Sequence, residues 1–190
     1  MTELTAELLV DRLEPREITV SPDGRLVAFV AGPVGRREEH PQSSVWLGKT
    51  SVESSARPFT SGSAQDQSPR FAPDGSALYF LSDREECKVT QLYRVRIDGG
   101  EAERLTEGKP GIAGFAPLAD GLRVALIGAD DESDEDRRRE RERDDANVFG
   151  DWKPHRLRLL HLDTGVVTPL RAPGDKHKNE FLIINSINDW

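Results

Sequence analysis

Short apolar runs alternate with polar turns along this chain, and one turn motif recurs. Residues 21–30 read SPDGRLVAFV, and residues 72–81 read APDGSALYFL. Proline fixes φ at the first corner of a turn, and glycine can adopt the left-handed conformation that closes it. The apolar runs that come after these turns are too short for an independent helix and are rich in β-branched and aromatic residues. Each motif therefore predicts a tight turn followed by a strand.

A third unit has the same plan. Residues 114–128 read GFAPLADGLRVALIG, with two additional residues expected in the turn, and Gly121 stands 46 residues after Gly75. Further strand-like segments come after the apolar runs, most clearly QLYRVRIDGG at 91–100 and RLRLLHLDTG at 156–165. Their near-alternation of apolar and polar residues is typical of strands with one solvated face. A period of about 40–50 residues with four strands describes a propeller blade. The sequence thus predicts an all-β fold, a partial β-propeller of about three four-stranded blades.

The predicted division of the chain is based on this repeat. A short helix precedes the blades, the third blade carries a charged insert between its second and third strands, and the chain closes with a divergent tail or the start of a fourth blade. In order, these parts are the helix at 1–15, the blades at about 16–62, 63–108 and 109–172 with the insert at 130–151, and the tail at 173–190.

The charge of the chain is concentrated in the insert. Residues 130–151 hold eleven acidic residues and five arginines, which is −6 of the formal net charge of −8. Such a run has little to bury and predicts solvated surface, with a regulatory or partner-docking role as the alternative. The tail holds three of the four asparagines of the chain. That change in composition fits a frameshift or truncation as well as ordinary divergence.

Composition and charge exclude several classes of function. A net charge of −8 without a basic stripe argues against nucleic-acid binding. Apolar runs stay far below the roughly 18 residues that a membrane span needs, and the first residues carry acids where a signal peptide carries bases. We therefore expect a cytoplasmic protein without a membrane partner. Cys87 is the single cysteine, so no disulfide can form within these residues, and we interpret it as an incidental surface thiol.

No residue of the sequence is predicted to be catalytic, to bind a cofactor or to ligate a metal. The four histidines are His40, His155, His161 and His177. His155 and His161 would share one face of a strand, where sheet packing is a better explanation than metal binding. Six apolar residues of the strands after the turns are expected in the blade core rather than in a channel wall: Leu26, Ala28, Leu78, Phe80, Val124 and Leu126.

The combined motifs resemble a known family. The Pro-Asp-Gly units, the hairpin at 92–106 with LYRVRIDGG and RLT, and DWKPHRLRLLHLDTG at 151–165 are similar to the N-terminal propeller of the prolyl oligopeptidase family of serine peptidases. The acylaminoacyl peptidase and dipeptidyl aminopeptidase branch is the most similar subgroup. The resemblance covers roughly residues 5–172. The Pro-Asp-Gly repeat is also found in the translocation protein TolB and other propellers.

The resemblance implies a two-part enzyme. In that family an α/β-hydrolase domain lies C-terminal to the propeller and carries a Ser-Asp-His triad, with the serine in a Gly-x-Ser-x-Gly elbow. In that family the propeller restricts access to the active site to small peptides. These 190 residues contain no Gly-x-Ser-x-Gly motif, so the resemblance transfers no catalytic residue. The implied partners are the C-terminal hydrolase domain, which is absent from this chain, and peptides.

Three blades are fewer than the four to eight, roughly, that closed propellers contain. We therefore interpret the chain as an N-terminal propeller fragment of a prolyl-oligopeptidase-like peptidase, which gates or positions peptides for the missing hydrolase domain. The alternative is a TolB-like propeller-repeat protein that acts by itself as a protein-binding module.

Overall fold

The computed structural model of the chain describes residues 12–33, 42–109, 111–129 and 155–170. These residues form twelve strands and no helix, so none of them belongs to a helix that could cross a bilayer. The strands are β1 (Leu13–Val20), β2 (Leu26–Pro33), β3 (Ser44–Lys49), β4 (Arg57–Pro58), β5 (Asp66–Phe71), β6 (Ala77–Ser82), β7 (Gln91–Arg96), β8 (Glu103–Arg104), β9 (Gly114–Pro117), β10 (Arg123–Ala129), β11 (His155–His161) and β12 (Val167–Pro169).

The strands form three four-stranded antiparallel sheets, each built from consecutive strands, which confirms the predicted all-β blades. We name the sheets blade 1 (β1–β4), blade 2 (β5–β8) and blade 3 (β9–β12). In every blade the first strand forms one edge, and β5 contacts both β1 and β9. The first strands therefore lie side by side, as the innermost strands of propeller blades do.

The turn between the first two strands is the same in all three blades. Its glycine has a positive φ of 73° at Gly24, 73° at Gly75 and 67° at Gly121. In blade 3 the amide of Gly121 donates to the carbonyl of Leu118 at 3.0 Å, and the amide of Leu118 donates to the carbonyl of Arg123 at 3.0 Å. Blades 1 and 2 contain the same two bonds. The prediction of two additional residues in the third turn was therefore wrong, because Leu-Ala-Asp-Gly at 118–121 is itself the counterpart of Ser-Pro-Asp-Gly.

An aspartate carboxylate caps the backbone of each turn. Asp23 accepts hydrogen bonds from the hydroxyl of Ser21 at 2.6 Å and from the amide of Arg25 at 3.0 Å. These bonds, the hydroxyl first, lower the pKa of Asp23 below its ordinary value. The amide of Ser76 lowers the pKa of Asp74 in the same way, and the amide of Leu122 lowers that of Asp120. The three turns thus prefer an ionised aspartate.

Blade 2 forms the centre of the structure, since β6 is buried along its whole length. Leu78 and Phe80 on one face of β6 belong to a cluster with Ala28, Val45 and Leu47 of blade 1. Tyr79 and Leu81 on the other face belong to a second cluster with residues of blade 3, among them Val124, Leu126 and Leu160. Each blade therefore buries its apolar side chains against a neighbouring blade, as quasi-one-dimensional repeat proteins do.

A bulge interrupts the first strand in blades 1 and 2. The register shifts between Arg16 and Thr19 in β1 and between Gln67 and Arg70 in β5. Glu17 and Ser68 occupy equivalent positions in these bulges, and both have positive φ angles, 53° and 54°. The carboxylate of Glu17 accepts a hydrogen bond from the amide of Ser68. This contact ties the innermost strands of the first two blades together.

The predicted helix, insert and tail lie at or beyond the edges of the described residues. Strand β1 begins at Leu13, so residues 13–15 do not continue the predicted helix at 1–15, and residues 1–11 lie outside the described residues. The charged insert at 130–151 and the tail at 173–190 also lie outside them. In the sequence, the second strand of blade 3 ends at Ala129 and the third begins at His155, and the predicted insert falls between them.

We predict that acid weakens the fold through the turn aspartates. A carboxylate with a lowered pKa in the folded state stabilises the fold above its unfolded pKa, and this stabilisation is lost as the pH falls through the folded value. The melting temperature of the native chain should therefore drop below a pH of about 4, near the unperturbed Asp value. The triple substitution D23N/D74N/D120N should flatten that drop. An unchanged pH profile in the triple variant would contradict the role of these carboxylates.

A second prediction concerns Phe29 and Phe80, which stand five residues after the turn glycine in blades 1 and 2. Phe80 is fully buried between blades, whereas Phe29 is only partly buried. Phe80→Ala should reduce the free energy of unfolding by about 3–5 kcal/mol because it leaves a cavity. Phe29→Ala, the matched control, should cost about 1–2 kcal/mol because less apolar surface is lost from the core. Urea unfolding measures both, and equal losses would show that β6 is not the central strand.

Candidate functional site

The six apolar residues predicted in the core lie in β2, β6 and β10, the second strands of the blades. Ala28, Leu78 and Phe80 belong to the cluster between blades 1 and 2, and Leu26 packs against it. Val124 and Leu126 belong to the cluster between blades 2 and 3. The core interpretation is therefore confirmed.

The two histidines among the described residues, His155 and His161, do not come together into a site. His155 and His161 lie at opposite ends of β11, ~20 Å apart at the rise of a strand, so they cannot share one metal ion. His161 Nε2 lies 3.3 Å from the hydroxyl of Thr168 on the neighbouring strand. In the described ranges no group of three or more His, Cys, Asp or Glu side chains could hold a metal. His40 and His177 lie outside these ranges, and Cys87 is exposed.

The most organised polar group in the described residues surrounds Arg84, just after β6 ends at Ser82. Its guanidinium carbon lies 4.6 Å from the ring centroid of Tyr93 and 5.1 Å from that of Phe80. The two rings are stacked, with centroids 5.8 Å apart, because Phe80 and Tyr93 are direct partners in the β6–β7 ladder. The aromatic pair thus forms a shelf that orients the guanidinium by cation–π attraction.

Hydrogen bonds fix the guanidinium from its other sides. Arg84 Nε donates to the hydroxyl of Ser82 at 3.1 Å, and a terminal nitrogen donates to Asp66 Oδ1 at 3.2 Å. The Asp66 side chain is 1% exposed, while that of Arg84 is 26% exposed. A buried carboxylate requires such a partner, since an unpaired charge in the interior is unfavourable. We call Asp66, Phe80, Ser82, Arg84 and Tyr93 the Arg84 cluster.

Neighbouring groups hold the cluster against both blades. Asp83, buried beside it, accepts hydrogen bonds from the amides of Gln65 at 2.9 Å and Lys88 at 3.0 Å. The hydroxyl of Ser43 in blade 1 donates to the carbonyl of Asp66 at 2.7 Å. The loop from 83 to 88 and the start of β5 are therefore fixed relative to blade 1.

The geometry of the Arg84 cluster suits the recognition of an anion. It presents one oriented, partly exposed cation beside an aromatic surface, a combination that suits a planar anion such as a carboxylate. The hydroxyl of Tyr93 is buried without a hydrogen-bond partner among the described residues, and burial raises the pKa of this phenol. The Ser82 hydroxyl and the Asp66 carboxylate both accept hydrogen bonds from the guanidinium.

Sequence reasoning did not single out the Arg84 cluster. The run Ser82-Asp83-Arg84 at the end of an apolar strand was a visible signal, because polar residues seldom end a buried strand without a structural role. The pairing of Arg84 with Asp66 had no local signal, since the two residues are 18 positions apart and meet only through the β5–β6 pairing.

Comparison with known proteins gives both sequence and structural relatives. No family model matches the chain. The uncharacterised peptidase YuxL of Bacillus subtilis strain 168 is 31% identical over 136 residues, which are 70% of this chain and 20% of that protein. The chain therefore spans only a fifth of the length of this curated relative.

Solved structures share the fold. An acylaminoacyl peptidase from Pyrococcus horikoshii superposes with a TM-score of 0.59 at 15% identity, covering 84% of this chain and 26% of that one. TolB from Acinetobacter baumannii superposes with a TM-score of 0.60 at 24% identity, covering 82% of this chain and 32% of that one. At such identities the likeness concerns the fold alone.

The stacked four-stranded sheets with adjacent innermost strands define the class of this protein, a β-propeller. In sequence the chain is similar to a peptidase over 70% of its own length, and its fold is shared with the propellers of peptidases such as the acylaminoacyl peptidase.

We predict that Arg84 stabilises the junction of blades 1 and 2. Arg84→Ala leaves the Asp66 carboxylate buried without its partner and should reduce the free energy of unfolding by on the order of 3 kcal/mol. Arg84→Lys should lose less, because it keeps the charge but not the planar contact with the rings. In a double-mutant cycle, Asp66→Asn should remove most of the penalty of Arg84→Ala, and strictly additive losses would contradict the pairing.

Proposed function

We propose that this propeller segment restricts or positions short peptides for a C-terminal α/β-hydrolase domain, in a peptidase of the acylaminoacyl peptidase or dipeptidyl aminopeptidase type. The observation that carries the proposal is the 31% identity to a peptidase of which this chain spans 20%. The propeller would supply access control and contacts with the peptide, and the hydrolase domain would supply the serine nucleophile.

Blades 1 and 3 each have a partly exposed apolar face, and these faces are an argument that the propeller contains further blades. On the side of blade 1 away from blade 2, Val27, Phe29 and Trp46 are partly exposed, and Val20 beside them is 53% exposed. Phe29 and Trp46 stack with ring centroids 6.2 Å apart. Val27 and Phe29 of blade 1 are equivalent to Leu78 and Phe80 of blade 2. In blade 2, Leu78 and Phe80 pack against the preceding blade, blade 1. A preceding blade would cover this face in the same manner.

Blade 3 has the complementary open face. Ala125 pairs with Leu159 and Ile127 pairs with Leu157 across β10 and β11, and all four side chains are partly exposed. Ala125 and Ile127 occupy the positions of Tyr79 and Leu81, which face blade 3 from blade 2. Apolar faces of this kind mark surfaces that a partner covers. Further blades of the same propeller would provide that cover.

The alternative function is a TolB-like module that binds another protein. The similarity to the TolB structure, with a TM-score of 0.60, favours it as strongly as the peptidase structures favour the first proposal. The two functions differ in the domain C-terminal to the propeller, because only the first requires a hydrolase there.

Two steps test the peptidase proposal. The DNA that encodes the chain is first sequenced past codon 190 in all three frames. We expect a frame with further Pro-Asp-Gly repeats and a Gly-x-Ser-x-Gly elbow. A frame with blades but no elbow would favour the TolB-like module instead.

The protein encoded by the whole frame is then assayed. It should hydrolyse a short peptide p-nitroanilide at least about tenfold more efficiently, in kcat/KM, than the same sequence placed in an unfolded chain of about 50 residues. Replacing the elbow serine by alanine should abolish both activities. Equal efficiency on both substrates would show that the propeller does not restrict access.

A further inference from the structure

A groove of about 370 Å³ lies between blades 2 and 3, near β8, β11 and β12. Its apolar wall includes Ile112, Leu126 and Val167, and its polar groups include Arg104, Thr106 and Arg158. The volume lies within the roughly 300–1,000 Å³ of small-molecule sites. The groove is separate from the Arg84 cluster, which lies at the junction of blades 1 and 2.

Arg158 gives the groove an unusual feature. It lies in β11 opposite Leu126 of β10, on the face that packs toward blade 2. One terminal nitrogen donates to the carbonyl of Ala129 at 2.9 Å. Its Nε is buried and, among the described residues, has no hydrogen-bond partner. A buried charged donor without an acceptor is unfavourable, and Arg158 is among the residues that line the groove.

The other polar groups of the groove are already engaged. The hydroxyl of Thr106 donates to Gln91 Oε1 at 2.8 Å and accepts from the amide of Leu92 at 2.9 Å. Arg104 lies 3.6 Å from the carboxylate of Glu107, whose side chain is 85% exposed. The groove is thus lined by two guanidinium groups, those of Arg104 and Arg158, and by one solvated carboxylate, that of Glu107. The groove is locally cationic in a chain whose formal net charge is −8.

We propose that this groove binds a small aliphatic carboxylate. The carboxylate would be bound by the guanidinium groups of Arg158 and Arg104, and the aliphatic part would lie along Ile112, Leu126 and Val167. A charge-assisted bond from a guanidinium is stronger than one from a neutral donor, and a carboxylate matches the geometry of this donor. The site is independent of the peptidase role, because every residue that forms it belongs to this chain.

The test uses the 190-residue chain and two matched probes, octanoate and octanamide, in isothermal titration calorimetry. Octanoate should bind saturably with one site per chain, and octanamide, which has the same length but no charge, should bind at least tenfold more weakly. Equal binding of the two probes would show nonspecific apolar contact, such as contact with the open blade faces. Absence of octanoate binding would show that the groove does not recognise an aliphatic carboxylate. Either result overturns the proposal.

Substitutions locate the site. Arg158→Leu should weaken octanoate binding at least tenfold, and Arg104→Gln should weaken it by a few fold. Arg96→Gln is the matched control, because Arg96 is 76% exposed and paired with Asp98 away from the groove, and it should leave the affinity within twofold. If circular dichroism shows that Arg158→Leu is unfolded, Arg158→Lys takes its place and should weaken binding several fold. Unchanged affinity in the folded Arg158 variant would overturn the proposal.

Discussion

The burial of β6 on both faces is the constraint on which the rest of this structure depends. A four-stranded sheet with apolar residues on both sides cannot satisfy them alone, so each blade needs a neighbour on either side. Blade 2 has both neighbours, and its strand alternates Leu78 and Phe80 toward blade 1 with Tyr79 and Leu81 toward blade 3. Blades 1 and 3 have one neighbour each among the described residues. The partly exposed apolar faces of the stack are therefore a direct consequence of the repeat.

The same constraint explains where polar side chains are found. At the junction of blades 1 and 2 the Arg84 guanidinium lies on an aromatic pair and meets a carboxylate that is almost fully buried. Between blades 2 and 3, Arg158 extends over Leu126 toward a groove. Both arginines bury their apolar stems between sheets and keep a polar end for a defined partner, as long charged side chains commonly do. In one junction that partner is part of the chain, and in the other it is the proposed ligand.

Much of the fold could be predicted because its signals are local. The turns at Gly24 and Gly75 are formed by Pro-Asp-Gly, and the apolar runs after them predicted β2 and β6. The third turn was misplaced because Ala116-Pro117 imitates the start of the motif, whereas the hydrogen bonds begin at Leu118. The site was not predictable in the same way. Asp66 meets Arg84, and Arg158 meets the groove, only through strand pairing and blade stacking, which join residues distant in sequence.

The central role of blade 2 is tested most directly by amide hydrogen exchange on the 190-residue chain, detected by mass spectrometry. Protection from exchange reports the free energy of local opening, and it is highest where the most apolar surface is buried on both sides. We expect the strongest protection in β6 and β7, with weaker protection in β2 and β3 of blade 1 and in β10 and β11 of blade 3. Equal protection across the three blades, or stronger protection in blade 1 or blade 3, would contradict the claim that blade 2 holds the stack together.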